Sequence, residues 1–253
     1  MKKYRWVSEE QLEALIEERG RKYAEKLNQD YEREILKRQV YMKVLQNQIN
    51  PHFLYNSLEC IRGQALLYDV PEIADTTQAL SKFFRYSINT KSDVVTLREE
   101  LDNVRDYMKI QQYRFKERFY LTIAYDESDE EILQSVLPKL TLQPIVENAI
   151  VHGFSNKTKH NNITIEIKVT RLHLSIMVSD DGKGMDEETL RGLNQKLLHP
   201  LGLEEIAEGK HNGIAMSNVN RRIKLFFGEE YGMNVTSAEG MGTDVEIYIP
   251  IQK

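Results

Sequence analysis

Side chains able to do chemistry gather at a few places in this chain of 253 residues. The first is His52, inside Gln48-Ile49-Asn50-Pro51-His52-Phe53-Leu54-Tyr55-Asn56. A neutral imidazole is a good nucleophile near neutral pH. No metal partner or second nucleophile stands beside it, so the other reading is a structural helical histidine. The second place is Glu147-Asn148-Ala149, set in an apolar stretch. A carboxylate and an amide are costly to bury there without partners. A hydrated Mg²⁺ carrying a phosphate would satisfy them, because Mg²⁺ prefers oxygen ligands and keeps waters; a helix cap would do so too. The third is Ser179-Asp180-Asp181-Gly182-Lys183-Gly184, directly after a strand pattern. Its glycines allow tight turning and close approach of a ligand, and a strand-end aspartate can accept a hydrogen bond from an amino group. An ordinary Asp-Gly turn is the alternative. The fourth is Gly213, which opens a helix, with Gly240-Met241-Gly242-Thr243 at a later turn. A helix N-terminus suits phosphate, although two plain glycine breaks would look the same. No Gly-Lys-Ser/Thr follows the spacing of a P-loop.

Composition narrows the setting. A net charge of -5, with basic residues neither in excess nor in one patch, gives no reason to expect nucleic acid. One cysteine, Cys60, excludes an internal disulfide framework, fits a reducing compartment and reads as a small buried hydrophobe. No apolar run approaches the roughly 18–20 residues of a membrane-spanning helix. The first residues lack the apolar core of a signal peptide. The expectation is a cytoplasmic protein.

The elements that must position these residues follow from periodicity. Residues 8 to about 48 place Leu12, Ile16, Tyr23, Leu27, Tyr31, Ile35, Met42, Leu45 and Ile49 at helical spacing. The pattern predicts a two-stranded coiled coil, weakened by Arg19 and Arg38, in preference to a solvated single helix. Pro51 must kink that helix or restart it with Asn50 as a cap. Phe53 to Tyr68 and Pro71 to Ile88 then read as a helical hairpin, with Ile73, Leu80, Phe83 and Phe84 on the apolar side of its second helix. One hairpin buries little alone, so a second copy is its natural partner. Thr96-Leu97-Arg98-Glu99 reads as a capping box. Phe119 to Tyr125 alternates like a strand, and Leu137 to Val151 reads as helix. Strands are expected at Ile163–Val169, Leu172–Val178, Met233–Ala238 and Thr243–Ile249. The fold class is therefore α+β, a largely antiparallel sheet with helices on one face.

The order and separation of these motifs resemble one family. The second half is similar to the Bergerat-fold ATP-binding domain shared by histidine kinases, gyrase-type topoisomerases, Hsp90-like chaperones and mismatch-repair ATPases. Leu142 to Ala149 with His152-Gly153 looks like its N box, and Asp180 to Gly184 like its adenine-side glycine box. Gly213 to Val219 and Gly240 to Thr243 look like its later boxes. Upstream, residues 48–56 resemble the phosphoacceptor box of the LytS-like sensor histidine kinases. So do Ser81 to Tyr86, Leu97 to Leu101 and Gln111 to Phe115.

The resemblance implies an ATP-dependent autokinase with domains 1–39 (coiled-coil signalling helix), 40–92 (dimerisation and histidine phosphoacceptor, a dimeric four-helix bundle) and 93–253 (ATP-binding α/β sandwich). It implies ATP and Mg²⁺ as cofactors, with Asn148 on the metal and Asp180 on the adenine amino group. Gly182, Gly184 and Gly213 would shape the pocket, and Asn218 and Thr243 would line it. Glu147, His152, Gly240 and Gly242 complete the nucleotide boxes, and 185–212 would be a mobile lid. His52 would take the γ-phosphate and pass it to an aspartate of a response-regulator receiver domain. A first-turn position would favour its neutral form, since a helix N-terminus carries partial positive charge.

Departures from the pattern bear on roles. Phe53 stands where many histidine kinases place an acid, leaving Asn56 and Glu59 as candidates to assist His52. Asn56 also matches a position used for phosphatase activity in other histidine kinases. Ala215 replaces a usual glycine, and Asp181 a common asparagine. The family carries membrane-embedded sensing segments upstream, which implies the cytosolic part of a membrane-anchored receptor or a soluble member. The alternatives are a Bergerat-fold hydrolase and an inactive dimeric scaffold. The hydrolases place a water-activating glutamate four residues before the asparagine, where this chain has Pro144.

Overall fold

Among the described residues the first helix is α1 (Pro51–Leu67). The computed structural model describes residues 51–88, 92–116, 118–154, 161–198 and 214–251. The expected coiled coil over 1–39, the cap at Asn50 and Gly213 lie outside the described residues. The chain divides into units 1–52 and 53–253, and the second holds nearly all of the described elements.

After α1 the chain turns at Asp69, which adopts a left-handed φ of 55°. Aspartate tolerates that region better than most residues. Val70 N–H closes the turn on Ala65 O at 2.9 Å. Helix α2 (Pro71–Ile88) then runs back, opening on a proline whose missing N–H would have no partner in a first turn. The Arg85 guanidinium lies 5.3 Å from the Tyr55 ring, so the end of α2 returns beside the start of α1. The buried residues of α2 are small, Ala74, Thr77, Ala79 and Ser81, and Ile73 stays exposed. On α1 the exposed positions include Phe53, Ile61, Leu66 and Leu67, and also Cys60. The reading of Cys60 as a buried hydrophobe is thus corrected. Among the described residues no helix is long and apolar enough to cross a membrane.

Strand β1 (Val94–Thr96) leads into α3 (Leu97–Phe115) through a complete capping box. The Thr96 hydroxyl accepts the Glu99 N–H at 3.2 Å, and Glu99 Oε2 accepts the Thr96 N–H at 2.8 Å. Two orphan donors of the helix start are satisfied reciprocally. β1 pairs antiparallel with β3 (Val136–Pro138) as a small ribbon. The main sheet has five strands in the order β2-β4-β5-β7-β6. These are β2 (Phe119–Ala124), β4 (Asn161–Val169), β5 (Leu174–Asp180), β6 (Gly232–Ala238) and β7 (Gly242–Ile249). Among these strands only the β2–β4 pair is parallel.

Burial alternates along the strands with period two. Ile163, Ile165 and Ile167 on β4 are buried, and Val245, Ile247 and Ile249 on β7 match them. They share one core with Leu101, Val104 and Met108 of α3, Ile145 and Val146 of α4 (Gln143–Asn148), and Val219 and Ile223 of α6 (Ile214–Phe227). One buried face and one more open face are the signature of an antiparallel sheet covered by helices on one side.

Two expectations change. Leu137 to Leu142 is not helical; the chain first pairs at β3 and then loops, and the helix starts only at Gln143, with Pro144 in its first turn. The polar stretch after Gly182 is not all loop. Residues Glu187–Leu198 form helix α5, which buries Leu193 and Leu197.

Candidate functional site

A cavity of about 620 Å³ opens between α4, the end of β5, α5 and the β6–β7 turn. That size suits a nucleotide-sized ligand. Its floor is apolar, with Ile145, Val178, Leu193, Met216 and Val245, and its polar wall includes Asn148, Asp180, Lys183 and Thr243.

Asn148 ends α4, and the chain continues into a π-helical turn over Ala149–Gly153. Such a turn inserts an extra residue into the helical ladder and re-aims the side chains beyond it. Here His152 and Gly153 join the lining. Glu147 is not among the lining residues. Its Oε1 accepts from Gln143 Nε2 at 2.8 Å, and Gln143 Oε1 accepts from Asn103 Nδ2 at 2.7 Å. This relay ties α4 to α3 and gives the carboxylate the partner its setting requires.

Asp180 is the last residue of β5. Its Oδ1 accepts the Gly182 N–H at 2.8 Å. Burial pushes the carboxyl up to about 6 and the neighbouring Asp181 pushes the same way, while backbone hydrogen bonds from Gly182 and Thr243 pull down. Among the described residues no cation forms an ion pair with it, so this half-buried carboxylate is poised to receive a donor from a ligand. Close backbone approach makes this corner possible. A Cβ on Gly182 would lie 2.7 Å from Gly153 Cα, and one on Gly242 would lie 1.9 Å from Asp180 O. Gly242 also holds φ at +87°, which favours glycine.

Neighbouring elements hold the rim. Ser237 Oγ accepts the Met185 N–H at 2.9 Å and donates to Gly242 O at 2.7 Å, tying the turn after β5 to the β6–β7 turn. Asn220, buried on α6, donates to Leu197 O at 2.8 Å and accepts from Met233 N–H at 2.8 Å. It thereby fixes α5 and β6 together.

Of the residues singled out in sequence, the cavity brings together Asn148, His152, Asp180, Gly184 and Thr243. Gly182 and Gly242 stand behind that wall. Gly240 donates its N–H to Lys183 O at 2.6 Å, and Asn218 is exposed on α6; neither lines the cavity. Lining residues not singled out include Lys183, Asp186, Thr189, Lys196 and Glu239. Lys183 lies inside the glycine motif and is open to recognition there. Those on α5 require knowing that this stretch folds as a helix. His52, Asn56 and Glu59 are all exposed on α1, and Glu59 pairs with Arg62 at 3.8 Å. Among the described residues no cluster of three His, Cys, Asp or Glu is placed to hold a metal.

A helical hairpin followed by a sheet-and-helix sandwich with this cavity is the architecture of a kinase with a Bergerat-type ATPase domain. Sequence comparisons with known proteins agree with that class. Residues 134–253 match the family described as histidine kinase-, DNA gyrase B- and HSP90-like ATPase, and residues 40–119 match the family described as histidine kinase. Sensor histidine kinase YesM of Bacillus subtilis is 37% identical over 226 residues, covering 89% of this chain and 36% of that protein. Sensor protein LytS of Oceanobacillus iheyensis is 34% identical over 216 residues, covering 85% and 35%. Sensor protein kinase HptS of Staphylococcus aureus is 33% identical over 217 residues, covering 85% and 39%. A solved histidine kinase domain from Erythrobacter litoralis aligns over 79% of this chain and 95% of its own, at 18% identity and a TM-score of 0.43. The chain belongs to the LytS-like sensor histidine kinases of two-component signalling. It spans a little over a third of the length of the curated relatives it matches.

Proposed function

We propose that this chain binds Mg-ATP in the cavity beside α4, autophosphorylates on His52, and passes the phosphoryl group to an aspartate of a response-regulator receiver domain. The observation that carries the reading is the shared wall of Asn148 and Asp180 in one cavity. Asp180 accepts the adenine amino group, and the apolar floor receives the purine ring. Lys183 and Lys196 at the rim offer positive charge to phosphates. A Mg²⁺ ion, when bound, supplies charge neutralisation at the phosphates. Asn148 fits that ion as a single neutral oxygen ligand, since Mg²⁺ at nucleotide sites takes most of its ligands from phosphates and water.

On the acceptor side, His52 lies on α1. In the step, an imidazole nitrogen forms a bond to the γ-phosphorus as the bond to the β–γ bridging oxygen breaks, and ADP leaves. The imidazole N–H proton is lost to a neighbouring acceptor or water. Asn56, one turn on, and Glu59, two turns on, are the polar groups proposed to orient the ring.

Dimerisation belongs to the same reading. Phe53, Ile61, Leu66 and Leu67 are exposed along α1. Exposed apolar residues gathered on one helix invite a covering partner, and a second copy of the hairpin closing a four-helix bundle is the occupant proposed. The experiment that tests the whole is incubation with γ-labelled ATP and Mg²⁺. Label should enter the chain, and Asn148→Ala should remove it while melting near the wild-type temperature. Rapid phosphate release without label would instead mark a hydrolase.

A further inference from the structure

Glu100 is fully buried on α3, yet among the described residues no cation forms an ion pair with it. Its two oxygens take four hydrogen bonds. Oε1 accepts from the Tyr86 hydroxyl and from Leu140 N–H, the latter at 2.6 Å. Oε2 accepts from Thr141 N–H at 2.9 Å and Leu142 N–H at 2.8 Å. Burial raises the carboxyl, while these four donors pull it down. Four donors on four acceptor sites suit the ionised, acceptor-only form.

Three of these donors belong to one short loop, 139–142, which joins β3 to α4. The same loop is gripped from its other side. Arg222 on α6 donates through Nη1 to Lys139 O at 2.7 Å and through Nη2 to Leu140 O at 2.6 Å. Leu140 sits at a left-handed φ of 59°, a conformation that persists in a non-glycine residue only where surroundings over-determine it. The loop runs straight into α4: Ile145 and Val146 N–H both bond Leu142 O, at 3.1 and 3.2 Å. The same short helix ends on Asn148. The fourth donor comes from elsewhere. Tyr86 is in the last turn of α2, with the Lys139 ammonium 4.9 Å from its ring. Phe83, one turn earlier, packs on Tyr107 of α3 at 5.8 Å. The end of the hairpin is therefore joined through one carboxylate to the loop that leads into α4.

We propose that Glu100 is a positioning residue through which docking of the last turn of α2 sets the geometry of the nucleotide site. Tyr86 completes the donor set when α2 is docked. The carboxylate then holds Leu140 to Leu142, and with them α4 and Asn148. Undocking of α2 leaves the buried carboxylate short of one of its four donors and loosens the loop. The inference rests on reading the cavity as a nucleotide site.

The test is hydrogen exchange on the full chain without nucleotide, with binding of the Mg²⁺ complex of a non-hydrolysable ATP analogue measured alongside. Tyr86→Phe removes only a hydroxyl and keeps the ring. It should quicken exchange over 140–148 about tenfold, the effect of one lost buried hydrogen bond, and leave β5 and β7 unchanged. Analogue affinity should fall about threefold or more, although Tyr86 lies outside the cavity. Glu100→Gln puts an amide N–H₂ against N–H donors and should loosen the same segment further. The double variant should be no worse than Glu100→Gln alone. Unchanged exchange over 140–148 in Tyr86→Phe would overturn the proposal, as would loosening spread evenly over the domain. Loosening with unaltered analogue affinity would also overturn it. A wild-type chain that binds no analogue would overturn the reading of the cavity, while the exchange comparison still decides whether α2 and α4 are coupled.

Discussion

Asp180 Oδ1 accepts the Gly182 N–H at 2.8 Å, and a Cβ on Gly182 would lie 2.5 Å from that same oxygen. The carboxylate is thus aimed by a residue that must have no side chain. Gly182→Ala would press on Gly153 backbone as well, which cannot rotate away as a side chain can. Overpacking of this kind should cost about 2 kcal/mol and weaken nucleotide binding at least tenfold. Thermal melting and analogue titration measure the two effects.

Asp180→Asn should separate binding from stability. The amide cannot offer an anionic acceptor to an amino group, so nucleotide affinity should fall about 10- to 100-fold. Stability without nucleotide should rise instead. The folded carboxyl titrates near 6, above its ordinary 3.8, so the fold prefers the protonated form. Its contribution is present below about pH 4, declines as the pH rises toward 6, and is gone above that. Removing the charge should therefore add on the order of 1 kcal/mol above pH 6 and little at pH 4. Denaturant midpoints at the two pH values check the sign.

Nucleotide binding should carry the same titration. The ionised carboxylate accepts the ligand's amino group better than the neutral acid does, so affinity should decline as the pH falls through about 6. Asp180→Asn should flatten that dependence. Isothermal titration between pH 5 and 8 reads it directly.

The exposed apolar residues on α1 predict association. The chain should sediment as a dimer at micromolar concentration. Leu67→Asp, at a position 85% exposed in the single chain, should weaken the dimer about tenfold or more without lowering α-helix content. A monomer at every concentration tested would refute the bundle.

Local signals are legible where they are self-contained. The capping box at Thr96 and Glu99 needs only residues three apart. Helix α2 runs from Pro71 to Ile88, as its pattern implies. The glycines around Asp180 announce a close approach, and Gly153 and Gly182 are packed backbone to backbone. Long-range features leave no such trace. Leu137 reads as helix because its apolar run joins that of α4, but pairing with β1 claims it as strand. Leu193 and Leu197 belong to a packed helix that polar neighbours disguise. Glu100 reads as one more charge on a helix; its burial depends on a hydroxyl 14 residues away and a loop 40 residues away. Cys60 takes its expected burial from its type, but α1 turns it outward.

The central claim is a phosphoryl group on His52. The most direct measurement is the chemistry of the label after incubation with γ-labelled ATP and Mg²⁺. A phosphoimidazole is lost in acid and survives alkali. The account predicts label with that stability in the wild-type chain and none in His52→Gln, with analogue binding by the variant unchanged. Label that persists in His52→Gln, or that survives acid, would contradict it.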